Sequence, residues 1–426
     1  MSPPRVLMLC VSDTIGGAAR TAYRIHNSVK ANGIDSKMLV MYKGNTDDDV
    51  LCVKDFYNKT HLSEVARFIK RKIRNKLQHA RWNKYPDKEN LFMSDLRAEP
   101  FNGALQKIEF DVLHLHYVNL HFLDLRELVG INKPIVWTLH DCWPFTGVCH
   151  YFYTCNKYKT ECGDCPLLHS GKKSDLSNKI WKKKSAIYRK LDLRIVSPSK
   201  WLAEESRKSS LMGSFPVHTI PNPIDTDLYS PGNQLEARML LRMNVSKTYI
   251  LFCAINAVED KNKGYAYLLE ALLKLKASTD ISQFELLIVG SYKPQKELCD
   301  YMPVHYFGII ESEPLMVSIY RAVNITVVPS FSENFSNTIL ESLACGTPVV
   351  AFNIGGNADL IEHKRTGYLA QEFVSDDFAD GINWCLAENL AGVVSQNARK
   401  KVIDNYGNEV TSSQYSQLYK SLISKA

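Results

Sequence analysis

The stretch Pro329-Ser-Phe-Ser-Glu-Asn-Phe-Ser-Asn-Thr-Ile-Leu-Glu-Ser-Leu-Ala-Cys-Gly-Thr-Pro-Val-Val-Ala-Phe352 decides how the rest of the chain is read. The apolar residues Ile325 to Val328 before it read as a strand, and Ser336 stands where a helix N-cap belongs. Ile339, Leu340 and Leu343 then form an apolar stripe, Gly346 sits at the C′ position, and Val349-Val350-Ala351 resumes a strand. A strand, a polar loop, a helix, a glycine stop and a second strand make half of a parallel βαβ unit.

Ligands of such sheets bind beyond the carboxyl ends of the strands, and a helix N-terminus turns its N–H groups toward an anion. Asn334, Phe335, Ser336, Asn337 and Thr338 are therefore a candidate phosphate cradle. Glu333 lies just before the helix and Glu341 one to two turns into it. Carboxylates beside a polyanion would repel it, so this pair suits hydroxyls, as sugars provide. The plain alternative is a loop acid and a solvated helix acid.

The ordered series of segments around the pair carries more information than the pair alone. Glu-x7-Glu, Ser342-Leu-Ala-Cys-Gly-Thr-Pro-Val-Val-Ala351, Gly355-Gly356-Asn-Ala-Asp-Leu-Ile-Glu362 and Thr366-Gly-Tyr-Leu369 together resemble the retaining glycosyltransferases of family 4. The resemblance implies the GT-B fold, an α/β chain with two doubly wound, Rossmann-like parallel-sheet domains facing across a cleft. Residues 1–225 would form an acceptor-side domain, 235–405 a nucleotide-sugar-binding domain, and 406–426 a helix crossing back to the first.

The length of 426 residues, 45% hydrophobic and 23% charged, is enough for two or three α/β cores. No apolar run approaches the length of a membrane span, and the start leads directly into a strand, so a cytoplasmic chain is expected. The net charge of +7 is unevenly spread. Residues 1–221 carry 35 Lys and Arg against 22 Asp and Glu, whereas residues 222–426 carry 17 against 23. The two halves should meet different partners.

In the basic half, Arg5 to Val11 reads as a buried strand followed by Gly16-Gly17 at a strand-to-helix turn. Without the GxGxxG pattern, a nicotinamide dinucleotide is not indicated; in the resembled family a glycine-rich loop here touches donor phosphate or acceptor. Further on, Leu62, Val65, Phe68, Ile69, Ile73 and Leu77 fall at helical spacing among eight basic residues between Arg67 and Lys84. Such a basic amphipathic segment suits an anionic membrane surface, and Lys172, Lys173, Lys179, Lys182, Lys183 and Lys184 form a second basic run. The plain alternative is a core-facing helix with a solvated basic face. No nucleic-acid motif accompanies the charges.

Val112 to His116 and Pro134 to Thr138 read as successive buried strands, with His114 and His116 as strand residues whose ring nitrogens are satisfied. The second leads into Leu139-His-Asp-Cys-Trp-Pro-Phe-Thr-Gly147. In the resembled family a histidine at the place of His140 lies near the donor sugar. Cys149, Cys155, Cys162 and Cys165 follow within an insertion at about 142–169, the last pair in the C-x2-C form common in tetrahedral zinc sites. A structural zinc is the leading reading; free thiols or a disulfide are the alternatives, and His140, His150 or His169 could replace a cysteine ligand. No metal is expected in catalysis.

The family places an Arg and a Lys in the region Glu259 to Gly264 to hold the donor diphosphate. Lys263 matches the lysine, Val258 stands at the arginine position, and Lys261 is the candidate second cation. Asn334-Phe-Ser-Asn337 also stands where many relatives carry glycines. The resemblance thus implies sugar transfer from a nucleotide diphosphate to a glycan acceptor, with Glu333 and His140 as catalytic candidates. Glu341 would take the ribose hydroxyls, and His140 and Gly16-Gly17 would come from the opposite domain. The His-Asp-x-Trp-Pro-Phe-Thr-Gly and cysteine segments look like bacterial enzymes of exopolysaccharide, capsule or lipopolysaccharide O-antigen assembly. A lipid-linked acceptor would then place the chain on the inner face of the plasma membrane. The alternatives are a phosphorylase or hydrolase of the same fold, or a non-catalytic nucleotide-sugar-binding or membrane-scaffold protein.

Overall fold

A computed structural model describes residues 3–56, 69, 72–73, 75–77, 80–88, 96, 103–294, 299–389 and 392–424. The chain divides into two compact units, one of residues 1–220 with 412–426 and one of residues 221–411.

The first unit is built on a seven-stranded sheet of β1 (Arg5–Ser12), β2 (Asp35–Tyr42), β3 (Val50–Cys52), β4 (Val112–Leu115), β5 (Ile135–Thr138), β6 (Leu193–Ser197) and β7 (Val217–Thr219). Their spatial order is β3-β2-β1-β4-β5-β6-β7 and every pairing is parallel. Parallel strands are covered on both faces, which is why β4 and β5 are buried along their whole length. One face packs Leu7, Leu9, Leu113, Leu115 and Trp137; the other packs Met8, Cys10, Ile25 and Val29. The second face is completed by Tyr415, Leu418, Tyr419 and Leu422 from the helix Asn408–Ile423.

The second unit repeats the plan with β8 (Thr248–Cys253), β9 (Phe284–Val289), β10 (Val304–Tyr306), β11 (Ile325–Val328), β12 (Val349–Phe352) and β13 (Gly367–Ala370). The order is β10-β9-β8-β11-β12-β13, again wholly parallel. Each sheet winds outward from its first strand, returns, and winds the other way. The switch points lie between β1 and β4 and between β8 and β11, where a doubly wound sheet opens its binding crevice. The two doubly wound parallel-sheet domains expected from the sequence are observed.

The stretch from Pro329 to Phe352 folds as read. Ser336 caps the helix Asn337–Ala344, its hydroxyl accepting from the Ile339 N–H at 3.4 Å. Gly346 takes φ +76, a left-handed value that stops the helix before β12. Three strands were not read from the sequence: β3, β7 and β13, of three or four residues each. Most of the basic segment 61–84 lies outside the described residues. Within its described part, Ile69, Ile73 and Leu77 are exposed.

Candidate functional site

In the second unit the candidate residues gather on the loops that leave β8, β11 and β12. Glycine conformation shapes two of these approaches. Gly264, at φ +75, brings its backbone so near the Pro329 carbonyl that a Cβ would sit 1.8 Å from the oxygen. Gly355, at φ +51, lies equally close to the Glu333 carbonyl, and Gly356 N–H donates to that carbonyl at 3.1 Å. Asn262 ties the first two loops together: its carbonyl accepts from Phe331 N–H at 2.8 Å, and its Nδ2 donates to Ser332 O at 3.2 Å. The Thr338 hydroxyl donates to the Cys253 carbonyl at 3.2 Å, pinning the first turn of the helix to the end of β8.

This frame brings Lys263 and Glu333 together, with Lys263 Nζ donating to Glu333 Oε1 at 3.2 Å. Glu341 is not the solvated helix acid of the plain alternative. It is 6% exposed, and Tyr320 Oη donates to its Oε2 at 3.1 Å. Lys261 is exposed on the turn that carries Lys263. Val258, at the position of the missing arginine, has its N–H held by Ser291 Oγ, which in turn donates to Glu259. The loop from Asn334 to Thr338 therefore stands at the mouth of the β8/β11 switch point with a cation and two carboxylates beside it. Such a set can hold a polyphosphate by its N–H groups and lysine while the acids accept from hydroxyls.

In the first unit Gly16 takes φ +90 at the start of the helix Gly17–Ala31, a conformation that strains any side chain. The turn is fixed by Ser12 Oγ, which accepts from the N–H groups of Thr14 and Ile15, and by buried Asp13, which accepts from Gly44 and Asn45.

His140 follows β5 and His116 follows β4, and the two rings meet at 3.0 Å between His116 Nδ1 and His140 Nε2. Burial pushes His140 down to about 4, against a smaller upward pull from Asp141. His114 behaves as expected, with Nε2 on Thr138 Oγ1 at 2.8 Å and Nδ1 on Tyr419 Oη at 2.7 Å. His116 does not. It lies just past the strand end, and its buried Nε2 has no hydrogen-bond partner among the described residues. Sequence spacing held no sign of this difference, since the two histidines alternate along one short apolar run.

The loop after His140 is anchored from behind. Asp141 accepts from Trp143 N–H at 2.8 Å and pairs with His150 Nδ1 at 2.6 Å. Lys184, read from the sequence as part of a surface basic run, is fully buried instead. Its ammonium donates to the carbonyls of Trp143, Thr146 and Gly147 and lies 3.7 Å from the centre of the Trp143 ring. Lys172, Lys173, Lys179, Lys182 and Lys183 are all exposed at the surface.

None of the eleven cysteines is in a disulfide. Cys149, in the same insertion as Cys155, Cys162 and Cys165, lies near enough to feel the charge of all three, and burial is the largest influence raising Cys149, Cys162 and Cys165. Among the described residues, no three His, Cys, Asp or Glu side chains are already gathered around a metal-sized point. Gly147 N–H does approach Cys162 Sγ at 3.2 Å, and backbone N–H groups of Leu167 and Leu168 point to Cys165.

Comparison with known proteins agrees with this arrangement. Residues 15–228 match the family described as Glycosyltransferase Family 4, and residues 247–388 match Glycosyl transferases group 1. The chain is 26% identical over 285 residues to a D-inositol 3-phosphate glycosyltransferase of Paenarthrobacter aurescens, covering 64% of this chain and 63% of that protein. It is 24% identical over 328 residues to an uncharacterized glycosyltransferase of Methanocaldococcus jannaschii, covering 74% and 76%. The chain thus spans less than two thirds of the first of these relatives. Among solved structures, sucrose-phosphate synthase of Thermosynechococcus elongatus superposes with a TM-score of 0.66 at 19% identity, covering 99% and 100% of the two chains. HepE of Anabaena, solved in complex with UDP and glucose, gives 0.64 at 15% identity, covering 98% and 100%. At these identities the structures speak for the GT-B fold alone. With one family model covering half of its length and the other most of the second unit, the chain belongs to glycosyltransferase family 4.

Proposed function

We propose that this protein is a retaining glycosyltransferase that moves a sugar from a nucleotide diphosphate donor to a glycan acceptor. The observation that carries the proposal is the meeting of Lys263, Glu333 and the capped helix Asn337–Ala344 at the β8/β11 switch point. Lys263, with Lys261 on the same turn and the N–H groups from Asn334 to Thr338, takes the diphosphate and offsets the charge that builds on it as it leaves. Glu333 accepts from donor-sugar hydroxyls and Glu341 from the ribose. His140 and the Gly16-Gly17 turn are the first unit's candidates for donor and acceptor contacts. These lysines and N–H groups supply electrophilic help without a metal ion. The UDP and glucose bound by HepE support a nucleotide-sugar donor.

For the acceptor we favour a lipid-linked glycan of cell-surface polysaccharide assembly, taken at the inner face of the plasma membrane by a peripheral, cytoplasmic enzyme. Exposed Ile69, Ile73 and Leu77 recur every fourth residue among Lys72, Lys76, Arg81 and Lys84, which supports contact with an anionic bilayer. The likeness to D-inositol 3-phosphate glycosyltransferases favours a second reading, a soluble phosphorylated polyol. As a separate proposal, Cys149, Cys155, Cys162 and Cys165 hold a structural zinc. The support is their spacing, their mutual proximity and the N–H groups aimed at two sulfurs; binding requires the sulfurs to close up.

The test is to incubate the protein with a panel of nucleotide sugars and either total lipid extract or inositol 3-phosphate. Released nucleoside diphosphate and sugar incorporation are then measured. Incorporation from one donor, lost in Glu333→Ala, is expected. Nucleotide release without incorporation into either acceptor would indicate hydrolysis, and no release from any donor would refute the transferase reading.

A further inference from the structure

The proposed chemistry uses His140 and leaves unexplained why a second buried histidine touches it. His116 Nδ1 and His140 Nε2 are 3.0 Å apart, so one nitrogen carries the proton and the other accepts it. The far side of His116 decides between them. Its Nε2 is buried with no partner among the described residues, and the residue as a whole is 2% exposed. A cationic His116 would need an acceptor at both nitrogens, so the ring is neutral. A neutral ring must leave either a buried N–H or a buried lone pair unmatched at Nε2, and native structures tolerate an unmatched acceptor more readily than an unmatched donor. The proton therefore sits on Nδ1, which donates to His140 Nε2.

From this geometry we infer that His116 is a positioning residue that fixes His140 as the tautomer protonated on Nδ1. His140 then offers an N–H, not a lone pair, from the nitrogen on the opposite side of its ring. This is the form that can donate to a sugar or backbone oxygen.

The framework around the pair keeps His116 in place. The ring of His114 lies 4.1 Å from that of His116 and is itself held by Thr138 and Tyr419, while Thr138 meets Tyr415 at 3.1 Å. Trp137 Nε1 donates to the His116 carbonyl at 3.2 Å, fixing the backbone. Two histidines 24 positions apart thus act as one unit, a juxtaposition created by the β4/β5 pairing.

The role in catalysis rests on the transferase reading, whereas the tautomer does not, and the experiment separates the two. Full-length protein with 15N-labelled histidine rings is assigned with the His140→Gln and His116→Asn variants. The expected spectrum shows His140 protonated at Nδ1 and unprotonated at Nε2 near neutral pH. His116→Ala should release His140 into a mixture of tautomers and lower kcat about tenfold to a hundredfold, the scale seen when metal-ligating histidines lose their outer hydrogen-bond partner, with a smaller change in KM. His116→Asn places an amide N–H where Nδ1 was and should restore both the spectrum and most of the rate. A wild-type His140 protonated at Nε2 overturns the inference, as does an asparagine variant that folds yet matches alanine. A chain with the expected tautomer and no transfer from any donor would refute the transferase reading and leave His116 fixing His140.

Discussion

Lys263 Nζ and Glu333 Oε1 are held 3.2 Å apart on two different loops, with the side chains 20% and 16% exposed. In the absence of donor each is the other's counter-charge. On the proposed reading, a bound diphosphate would compete for the lysine and leave Glu333 available to accept from hydroxyls. On that reading the pair would couple the two ends of a nucleotide sugar at a single contact.

Replacing Lys263 by Ala should lower kcat/KM for the donor about a hundredfold, the scale on which preorganised charge stabilises a leaving group. Partly exposed ion pairs contribute only about 0–1 kcal/mol, so the melting temperature should hardly move. Steady-state kinetics and thermal melting of the same preparation check this; a large loss of stability with little loss of rate would make the pair structural.

Gly355→Ala should damage the site through the backbone. Its Cβ would lie 1.9 Å from the Glu333 carbonyl, at a φ of +51 that disfavours any side chain. A cost of about 1–3 kcal/mol in urea unfolding is expected, accompanied by loss of transfer. Gly392→Ala offers a control, since that glycine also has positive φ but no heavy atom within 4 Å.

Tyr320→Phe removes the hydroxyl that donates to Glu341. A donor KM raised several-fold with kcat nearly unchanged is expected if Glu341 takes the ribose, and a stability cost of about 1 kcal/mol for the lost hydrogen bond. An unchanged KM would remove Glu341 from the donor site.

Acid should unfold the first unit early. Burial lowers His26 to about 4, His114 to about 3, His140 to about 4, and His116 well below its ordinary value. Well above pH 6.5 these groups are neutral in both states and contribute no pH dependence. As pH falls from about 6.5 toward about 4 the unfolded chain takes up protons that the folded chain refuses, so stability falls, by up to about 1.4 kcal/mol per pH unit for each histidine. Melting temperatures measured across that range should decline, with a shallower slope in His26→Gln.

The zinc proposal predicts one zinc per chain in protein purified with reductant and without chelator, and its loss in Cys162→Ser and Cys165→Ser. Metal analysis decides it, and metal-free wild-type protein that cannot take up zinc or cobalt would leave four thiols and no metal site.

The parts of the fold legible in the sequence are those with local punctuation. The Ser336 cap, the stripe from Ile339 to Leu343 and the Gly346 stop place the helix and β12 to the residue. Strands β3, β7 and β13 escaped because three or four residues carry too little pattern, and their neighbours define them. The site was legible as a list of residues and not as a set of contacts. Lys263 beside Glu333, 70 positions apart, results from the β8/β11 crossover, and Lys184 looked like one more surface lysine until the Trp143–Gly147 carbonyls closed around it. Burial of a charged group cannot be read from a run of like charges.

The helix Asn408–Ile423 bears on how the molecule is made. Tyr415 and Tyr419 complete the core of the first sheet and close the hydrogen bonds of Thr138 and His114. The first unit is therefore not contiguous in sequence: everything from Pro221 to Thr411 is translated between its sheet and its last helix. On the ribosome the amino-terminal sheet must wait, with one apolar face incomplete, until the second unit has emerged. The residues that close this face are thus separated from their sheet by the whole of the second unit, and the face can be completed only after that unit has been synthesised.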